Sequence, residues 1–248
     1  MHPILFKIGS ISIYSRETIL LSAFLIGILL AVRRASALKI QARLVVLLGI
    51  YIFISSFVGA KLFYLFFNLD WYLAHPIKYF FSRSGFTFYG GLFLSILVSL
   101  LWLYRRNISF LLMGDIFAPS LSLGEAMGRI GCILSGCCYG KPTTLPWGVH
   151  FPPLSLPYQH FRSSLLHPVQ VYFSLSYFLL FLILQRIKPT TQGKTFFLYL
   201  ILHSVFRFII EFGRADSPYL LFNLTTSQVI AIFIGMCGVI LFSRRTEE

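Results

Sequence analysis

The run LVVLLGIYIFISSFVGAKLFYLFF, Leu44 to Phe67, decides the solvent of this chain and with it the fold. It carries a single charge, Lys61, and exceeds the roughly 20 apolar residues a helix needs to cross a bilayer. Working outward, comparable runs cover 17–32, 86–104, 108–135, 168–185, 195–212 and 223–243. Together they predict an all-α polytopic membrane protein with about seven transmembrane helices. Composition agrees. Of 248 residues 57% are hydrophobic and only 12% charged, where soluble chains average roughly 25% charged. A water-soluble enzyme, a disordered tail and a collagen-like fibre are excluded.

Lysine and arginine total 21 against 8 acidic residues, a net charge of +13. In a soluble domain this excess would suggest nucleic acid. Here the basic residues stand between apolar runs, so topology and anionic lipid headgroups account for them and no nucleic acid is expected. Arg33-Arg34 with Lys39 and Arg43, Arg105-Arg106, Arg186 with Lys188 and Lys194, and Arg244-Arg245 all follow odd-numbered spans. The positive-inside rule places those breaks in the cytoplasm. Because Arg33 and Arg34 follow the first apolar run rather than precede it, that run is expected to stay in the membrane and not be cleaved. Its charge bias points the amino terminus away from the cytoplasm. The chain is expected to form one integral-membrane domain, 1–248, in which 139–167, the longest non-spanning stretch, makes an external cap. No internal repeat is visible.

An ionisable residue inside a span costs roughly 2.5–3.5 kcal/mol, so each needs a partner or a task. The fourth span holds Asp115, Glu125 and Arg129; the sixth holds Arg207 and Glu211, with Arg214 just beyond. Glu125 and Arg129 are four apart, as are Arg207 and Glu211, so each couple can share a helix face. Two readings follow. The couples are intrahelical ion pairs that merely permit insertion, or the arginines form a pocket. The predicted topology puts Arg129, Arg207, Glu211 and Arg214 in the outer half of the bilayer, with Lys61 at similar depth. Guanidinium grips phosphate through two parallel bonds and keeps its proton, so such a pocket suits an anionic phospholipid.

Glycine recurs as Gly90-Gly91 at the start of the third span and as Gly124, Gly128, Gly131, Gly136 and Gly140 along the fourth. The Gly124–Gly128 spacing permits close helix packing, while Gly136-Cys137-Cys138-Tyr139-Gly140 reads as a helix end turning into the cap.

Gly128-Arg129-Ile130-Gly131 with Gly136 and Gly140 resembles the signature of the bacterial prolipoprotein diacylglyceryl transferase family. So do His2-Pro3-Ile4 with Ile8-Gly9, Phe88-Tyr89-Gly90-Gly91, and Asp115 with Ala118-Pro119. His167-Pro168 with Gln170 and Tyr172, Phe206-Arg207 with Glu211-Phe212 and Arg214, and Gln228 complete the set. The matches run in family order along nearly the whole chain. The resemblance implies transfer of the diacylglyceryl group of phosphatidylglycerol to the lipobox cysteine thiol of a preprolipoprotein signal peptide, in the bacterial inner membrane with the active site toward the periplasmic or outer face. A thioether forms and glycerol phosphate leaves. No metal and no organic cofactor are implied. Arg129 would hold the lipid phosphate and Arg207 stabilise the leaving group, with Glu211 and Arg214 setting orientation. Gly90, Gly91, His167 and Gln170 would line the substrate site.

The chain departs from the family pattern at several places. Tyr89 stands where a histidine usually precedes Gly-Gly. A phenol, with reference pKa near 10, is a poor base near pH 7, so Tyr89 hydrogen-bonds the substrate or another group takes the thiol proton. Cys132, Ser135 and Cys137 replace Asn, Asn and Glu, Arg16-Glu17 replaces Tyr-Gly, Leu166 precedes His167 in place of Arg, and Phe173 replaces an acidic residue. Two alternatives therefore stay open: a divergent member with another lipid donor or acceptor or with no transferase activity, and a transporter using the buried charges.

The cysteine trio reads as packing or as a disulfide of Cys132 with Cys137 or Cys138. A covalent carrier at Cys137 is a minor option, and a metal site with His150, His160 or His167 lacks a recognisable spacing. His203, four before Arg207, either faces the pocket or bonds a neighbouring helix; His75 carries no signal. The Phe-rich faces are expected to serve lipid contact and core packing only.

Overall fold

The structure, a computed structural model, describes residues 2, 4–9, 11–74, 77, 82, 85–153, 155–187 and 191–246. Pro3, His75 and Lys188 lie outside the described residues. Two compact units emerge, one formed by residues 1–31 and 114–248, the other by 32–113.

The larger unit opens with an antiparallel hairpin, β1 (Ile4–Ile8) and β2 (Ile11–Tyr14), that leads into α1 (Ser15–Ala37). After α5 (Phe110–Ser135) and the short α6 (Leu156–Phe161) come α7 (Val169–Arg186), α8 (Lys194–Glu211), a hairpin of β3 (Tyr219–Leu221) and β4 (Leu224–Thr225), and α9 (Thr226–Thr246). The smaller unit holds α2 (Ala42–Phe67), α3 (Leu69–Ala74) and α4 (Phe88–Arg105).

Six helices among the described residues (α1, α2, α4, α5, α7 and α9) are long and apolar enough to cross a membrane. The chain is thus an all-α multi-pass membrane protein. The expected sixth span, α8, has 18 residues but carries Lys194, Arg207 and Glu211, so its own composition does not qualify it. Arg207 and Glu211 pair with each other and with residues on other elements, as described below.

In α7, Val169, Phe173, Tyr177, Leu180 and Leu184 recur at helical spacing, form one stripe and are buried, while Leu175, Phe178, Leu179 and Leu182 on the other faces are exposed. The apolar outer faces suit lipid. The inner contacts are polar at chosen points, because lipid supplies no hydrophobic drive between helices. Ser122 of α5 donates to the Tyr177 carbonyl at 2.7 Å, and Ser174 of α7 donates to the Ala126 carbonyl at 2.9 Å. These reciprocal bonds pin α5 to α7 on both sides of the Phe173–Tyr177 stripe.

Candidate active site

Arg129 rides on the last two turns of α5, and the way that helix ends shapes its surroundings. Gly136 adopts the left-handed conformation, φ +70°. Its N–H donates to the Ile133 carbonyl at 3.3 Å, and the Cys137 N–H donates to the Cys132 carbonyl at 3.2 Å. This bond pair is a Schellman cap, which needs a residue at ease with positive φ and brings the third-last helical side chain against the one two past the end. Those two residues are Cys132 and Cys137. Beyond them the chain is zipped on both sides: Lys141 N–H donates to the Gly213 carbonyl, Ala215 N–H to the Tyr139 carbonyl, and His167 N–H to the Lys141 carbonyl. A Cβ on Gly140 would lie 2.4 Å from the His167 carbonyl oxygen, so only glycine fits this squeeze.

Arg129 makes no ion pair with a described carboxylate. Its guanidinium carbon instead stands 4.5 Å from the centroid of the Phe173 ring, and that of Arg207 stands 5.1 Å from the same centroid. The two arginines are therefore no further apart than those distances combined, and they belong to one site. The ring faces that hold them are part of the α7 stripe, where Phe173 stacks on Tyr177 at 5.7 Å and Tyr177 on His203 at 5.2 Å. Phe173 thus does more than fill the core, which corrects the expectation that the phenylalanines serve only packing and lipid contact.

Glu211 anchors the other side of Arg207. Its side chain is fully buried and lies 3.4 Å from both Arg207 Nη2 and Arg214 Nη1. Ser217 and Thr225 donate their hydroxyls to Glu211 Oε1. Arg207 Nη2 also donates to Ser227 Oγ at 2.8 Å, and Arg214 grips Asp216 Oδ1 through Nε and Nη2 at 3.0 and 2.9 Å. Ser227 reaches this position because α9 starts with a capping box. Thr225 Oγ1 accepts the Gln228 N–H at 3.2 Å, and Gln228 Oε1 accepts the Thr225 N–H at 2.9 Å. Gln228 then donates to the Phe208 carbonyl at 3.3 Å, tying α9 to α8. A recess of about 500 Å³ opens beside this group, lined by Lys141, Glu211, Phe212, Tyr219, Asn223, Thr225 and Gln228.

The intrahelical pairing is half realised. Arg207 and Glu211 do pair, whereas Glu125 turns from Arg129 and accepts from Tyr199 Oη at 3.2 Å while lying 3.2 Å from His203 Nδ1. His203 accordingly bonds a neighbouring helix. Asp115, fully buried, takes the Gly193 N–H at 2.6 Å and the Phe196 N–H at 2.8 Å, so a carboxylate of α5 caps the amino-terminal end of α8.

His167 Nδ1 lies 3.3 Å from Tyr172 Oη, which also accepts from Trp147 Nε1 at 2.8 Å. Gln170, almost wholly buried, donates to the Cys137 carbonyl at 2.8 Å. Its contact is with the helix end that carries the cysteines. All four cysteines are free thiols, so the expected disulfide is not formed. The sulfurs of Cys132, Cys137 and Cys138 nonetheless lie within 4.8 Å of one another. Hydrogen bonding within the trio, reinforced by the charges of Arg214 and Arg129, pushes the Cys138 thiol down, and the Cys137 thiol is pushed up by its two neighbours. His150 is exposed and His160 bonds Tyr139 Oη at 2.7 Å; neither joins the sulfurs.

Tyr89, Gly90, Gly91 and Lys61 belong to the smaller unit. A Cβ on Gly90 would lie 2.4 Å from Phe63 Cβ, and one on Gly91 would lie 2.7 Å from the Ser56 carbonyl oxygen. Both glycines therefore let α4 press against α2. Tyr89 is 53% exposed, and its hydroxyl has no partner among the described residues. Lys61 donates to the Ser82 carbonyl at 3.0 Å and to its hydroxyl at 3.1 Å. By contrast, the Gly124–Gly128 spacing does not serve close packing. A Cβ at Gly124 would meet nothing within 4 Å, and one at Gly128 only Leu20 Cδ2 at 3.7 Å, which leaves room on the face of α5 beside Arg129.

Two fixed guanidinium groups on a buried ring, one free of any carboxylate and one oriented by Glu211 and Ser227, can hold a phosphate diester and stabilise the charge that grows as a phosphate leaves. Of the residues that matter here, Phe173, Ser217 and Ser227 were not singled out by the sequence. Phe173 shows in it only as an apolar residue where an acidic one is usual.

Comparison with known proteins identifies a family. The family model described as prolipoprotein diacylglyceryl transferase matches residues 3–244. A phosphatidylglycerol–prolipoprotein diacylglyceryl transferase of Clostridium tetani is 32% identical over 245 residues, covering 98% of this chain and 97% of that one. The protein of the same description from Finegoldia magna is 30% identical, covering 97% and 94%. One from Pseudomonas fluorescens is 38% identical over 195 residues, covering 74% and 71%.

Proposed function

The chain belongs to the prolipoprotein diacylglyceryl transferase family and transfers the diacylglyceryl group of phosphatidylglycerol to prolipoprotein in lipoprotein biosynthesis; we propose that Arg129 and Arg207 form the phosphate clamp of that transfer. The observation that carries this assignment is the shared Phe173 ring, which brings together two guanidinium groups from helices α5 and α8. Arg129, with no carboxylate partner, takes the phosphate of the bound lipid. Arg207, steered by Glu211 and Ser227, stabilises the departing phosphate, and Arg214 holds Glu211 in place.

The acceptor in this reading is the thiol of a lipobox cysteine in the preprolipoprotein signal peptide. Its sulfur attacks the glyceryl carbon bearing the phosphate, a thioether forms, and glycerol phosphate leaves. In the larger unit His167 and Gln170 shape the substrate site; Tyr89, Gly90 and Gly91 keep the substrate role that the family resemblance implies. For Gln170 the support is indirect, through its hold on the Cys137 carbonyl. Open space beside Gly124 and Gly128 offers the lipid a place against α5. We place the chain in the bacterial inner membrane as one transferase domain, with 139–167 as an external cap and the clamp toward the periplasmic or outer face. The arginine-rich helix ends support that orientation by the positive-inside rule.

The test uses the full chain in detergent with phosphatidylglycerol and a lipobox peptide. The expected result is a phosphatidylglycerol-dependent mass gain on the peptide cysteine, lost in Arg129→Ala and Arg207→Ala variants that remain inserted and folded. Full transfer by both variants would remove the clamp assignment.

A further inference from the structure

The three sulfurs have no part in the phosphate clamp, yet the fold gathers them with some care. The Schellman cap sets Cys132 against Cys137, and Cys138 follows in the left-handed region at φ +60°. A non-glycine residue there is disfavoured by roughly 1–2 kcal/mol, and such outliers concentrate where a site requires them. That backbone turn brings the third sulfur to 3.7 Å from Cys137 Sγ. Three sulfurs bound to zinc at about 2.3 Å in tetrahedral geometry stand about 3.8 Å apart. The observed cluster, with all three sulfurs within 4.8 Å of one another, needs only a small contraction to meet that geometry. The segment is held from both sides by the 139–141 pairings, and Gln170 fixes the Cys137 carbonyl. The cysteines are partly buried, so the cluster is shielded without being sealed.

We propose that Cys132, Cys137 and Cys138 bind one zinc ion whose fourth position takes the thiol of the lipoprotein acceptor. This rests on the transfer reaction read above and gives that reaction a way to form the acceptor thiolate. Alkylation of a thiol proceeds through its thiolate. Four described carboxylates of the larger unit are engaged, Glu211 with two arginines, Glu125 with Tyr199 and His203, Asp115 with the start of α8 and Asp216 with Arg214, while Glu17 is exposed at the start of α1. A zinc ion with three protein ligands keeps an open position, and a coordinating thiol is deprotonated outright. Cys132 is also one helical turn from Arg129, on the same face of α5, so a thiolate on that metal sits beside the proposed phosphate grip.

The step balances without any redox change. The acceptor thiol displaces water from zinc and releases its proton to solvent. The bound thiolate donates an electron pair to the glyceryl carbon that bears the phosphate ester. The carbon–oxygen bond breaks with its pair moving to oxygen, and glycerol phosphate departs past Arg207. The product thioether is a weak ligand and yields its place to water. Zinc remains divalent throughout.

The experiment measures metal apart from turnover, on the full chain in detergent. Elemental analysis should give one zinc per chain, falling at least tenfold in Cys132→Ser and Cys138→Ser, while Arg129→Lys keeps its metal. Cobalt substituted for zinc in the unaltered protein should show sulfur-to-cobalt charge transfer and tetrahedral ligand-field bands. A lipobox peptide should shift those bands, and its Cys→Ser version should not. Absence of metal, or two of the three thiols found oxidised to a disulfide in the active protein, overturns the proposal, as does full transfer after zinc is stripped by a chelator. Zinc bound with no response to the peptide overturns the thiol-activating role. Zinc and a peptide response without lipid transfer would instead refute the transfer reading and leave the site standing.

Discussion

Arg129 and Arg207, on different helices, share one aromatic ring: their guanidinium carbons stand 4.5 and 5.1 Å from the centroid of Phe173. The ring's negative face stabilises both cations, and Glu211 adds a counter-charge for Arg207. Four consequences can be measured.

Arg129→Lys keeps the charge and loses the two-pronged grip. Loss of a preorganised donor at developing charge costs roughly 10²–10³ in kcat, and a fall of that order is expected with the protein still inserted. Full-rate transfer of the diacylglyceryl group to a lipobox peptide would contradict it.

Phe173→Leu retains an apolar side chain and removes the ring face. A desolvated cation–π contact is worth about 1–2 kcal/mol, so the combined rate constant kcat/KM should fall about five- to thirtyfold. A steady-state assay across phosphatidylglycerol concentrations reads this directly; an unchanged constant would mean that the ring is only filler.

Glu211→Gln preserves shape and deletes the buried charge between Arg207 and Arg214. Breaking a buried pair from one side destabilises by roughly 3–5 kcal/mol. A large drop in the thermal midpoint in detergent is expected, and Arg207→Met on the same background should restore part of it.

Asp115→Ala strips the amino-terminal end of α8 of its acceptor for two backbone N–H groups. Caps are worth about 1–2 kcal/mol. The variant should show a lowered melting point and faster amide exchange at Gly193 and Phe196, while the Arg207–Glu211 pair toward the opposite end of α8 stays intact. Unaltered exchange at those amides would refute the capping role.

Much of this was readable beforehand, for physical reasons that differ by residue. The apolar runs announce helices in lipid because no other spanning solution satisfies the backbone. Arg129, Arg207 and Glu211 stand out because charge in a span is costly. The partner of Glu125 was not readable. Spacing along α5 favoured Arg129, but Tyr199 and His203 on α8 offered better-placed donors, and tertiary contact overrode local periodicity. Phe173 was marked only as an apolar residue where an acidic one is usual, and its role as a platform shows once the cations around it are placed. The cysteine cluster was half visible: Gly136 signals the cap, and the cap geometry pairs Cys132 with Cys137, but only the backbone shows Cys138 folding back.

The amino-terminal cap of α8 and the carboxylate beside its Tyr199 and His203 sit on α5, which precedes it in the chain. Asp115 and Glu125 are therefore synthesised before Lys194, Tyr199, His203 and Arg207 leave the ribosome. An α8 released alone from a translocon would keep its Arg207–Glu211 pair but face lipid without the Asp115 cap and the Glu125 partner of Tyr199 and His203. It is instead received by a docking partner already in place, so the order of the genetic message doubles as an assembly schedule.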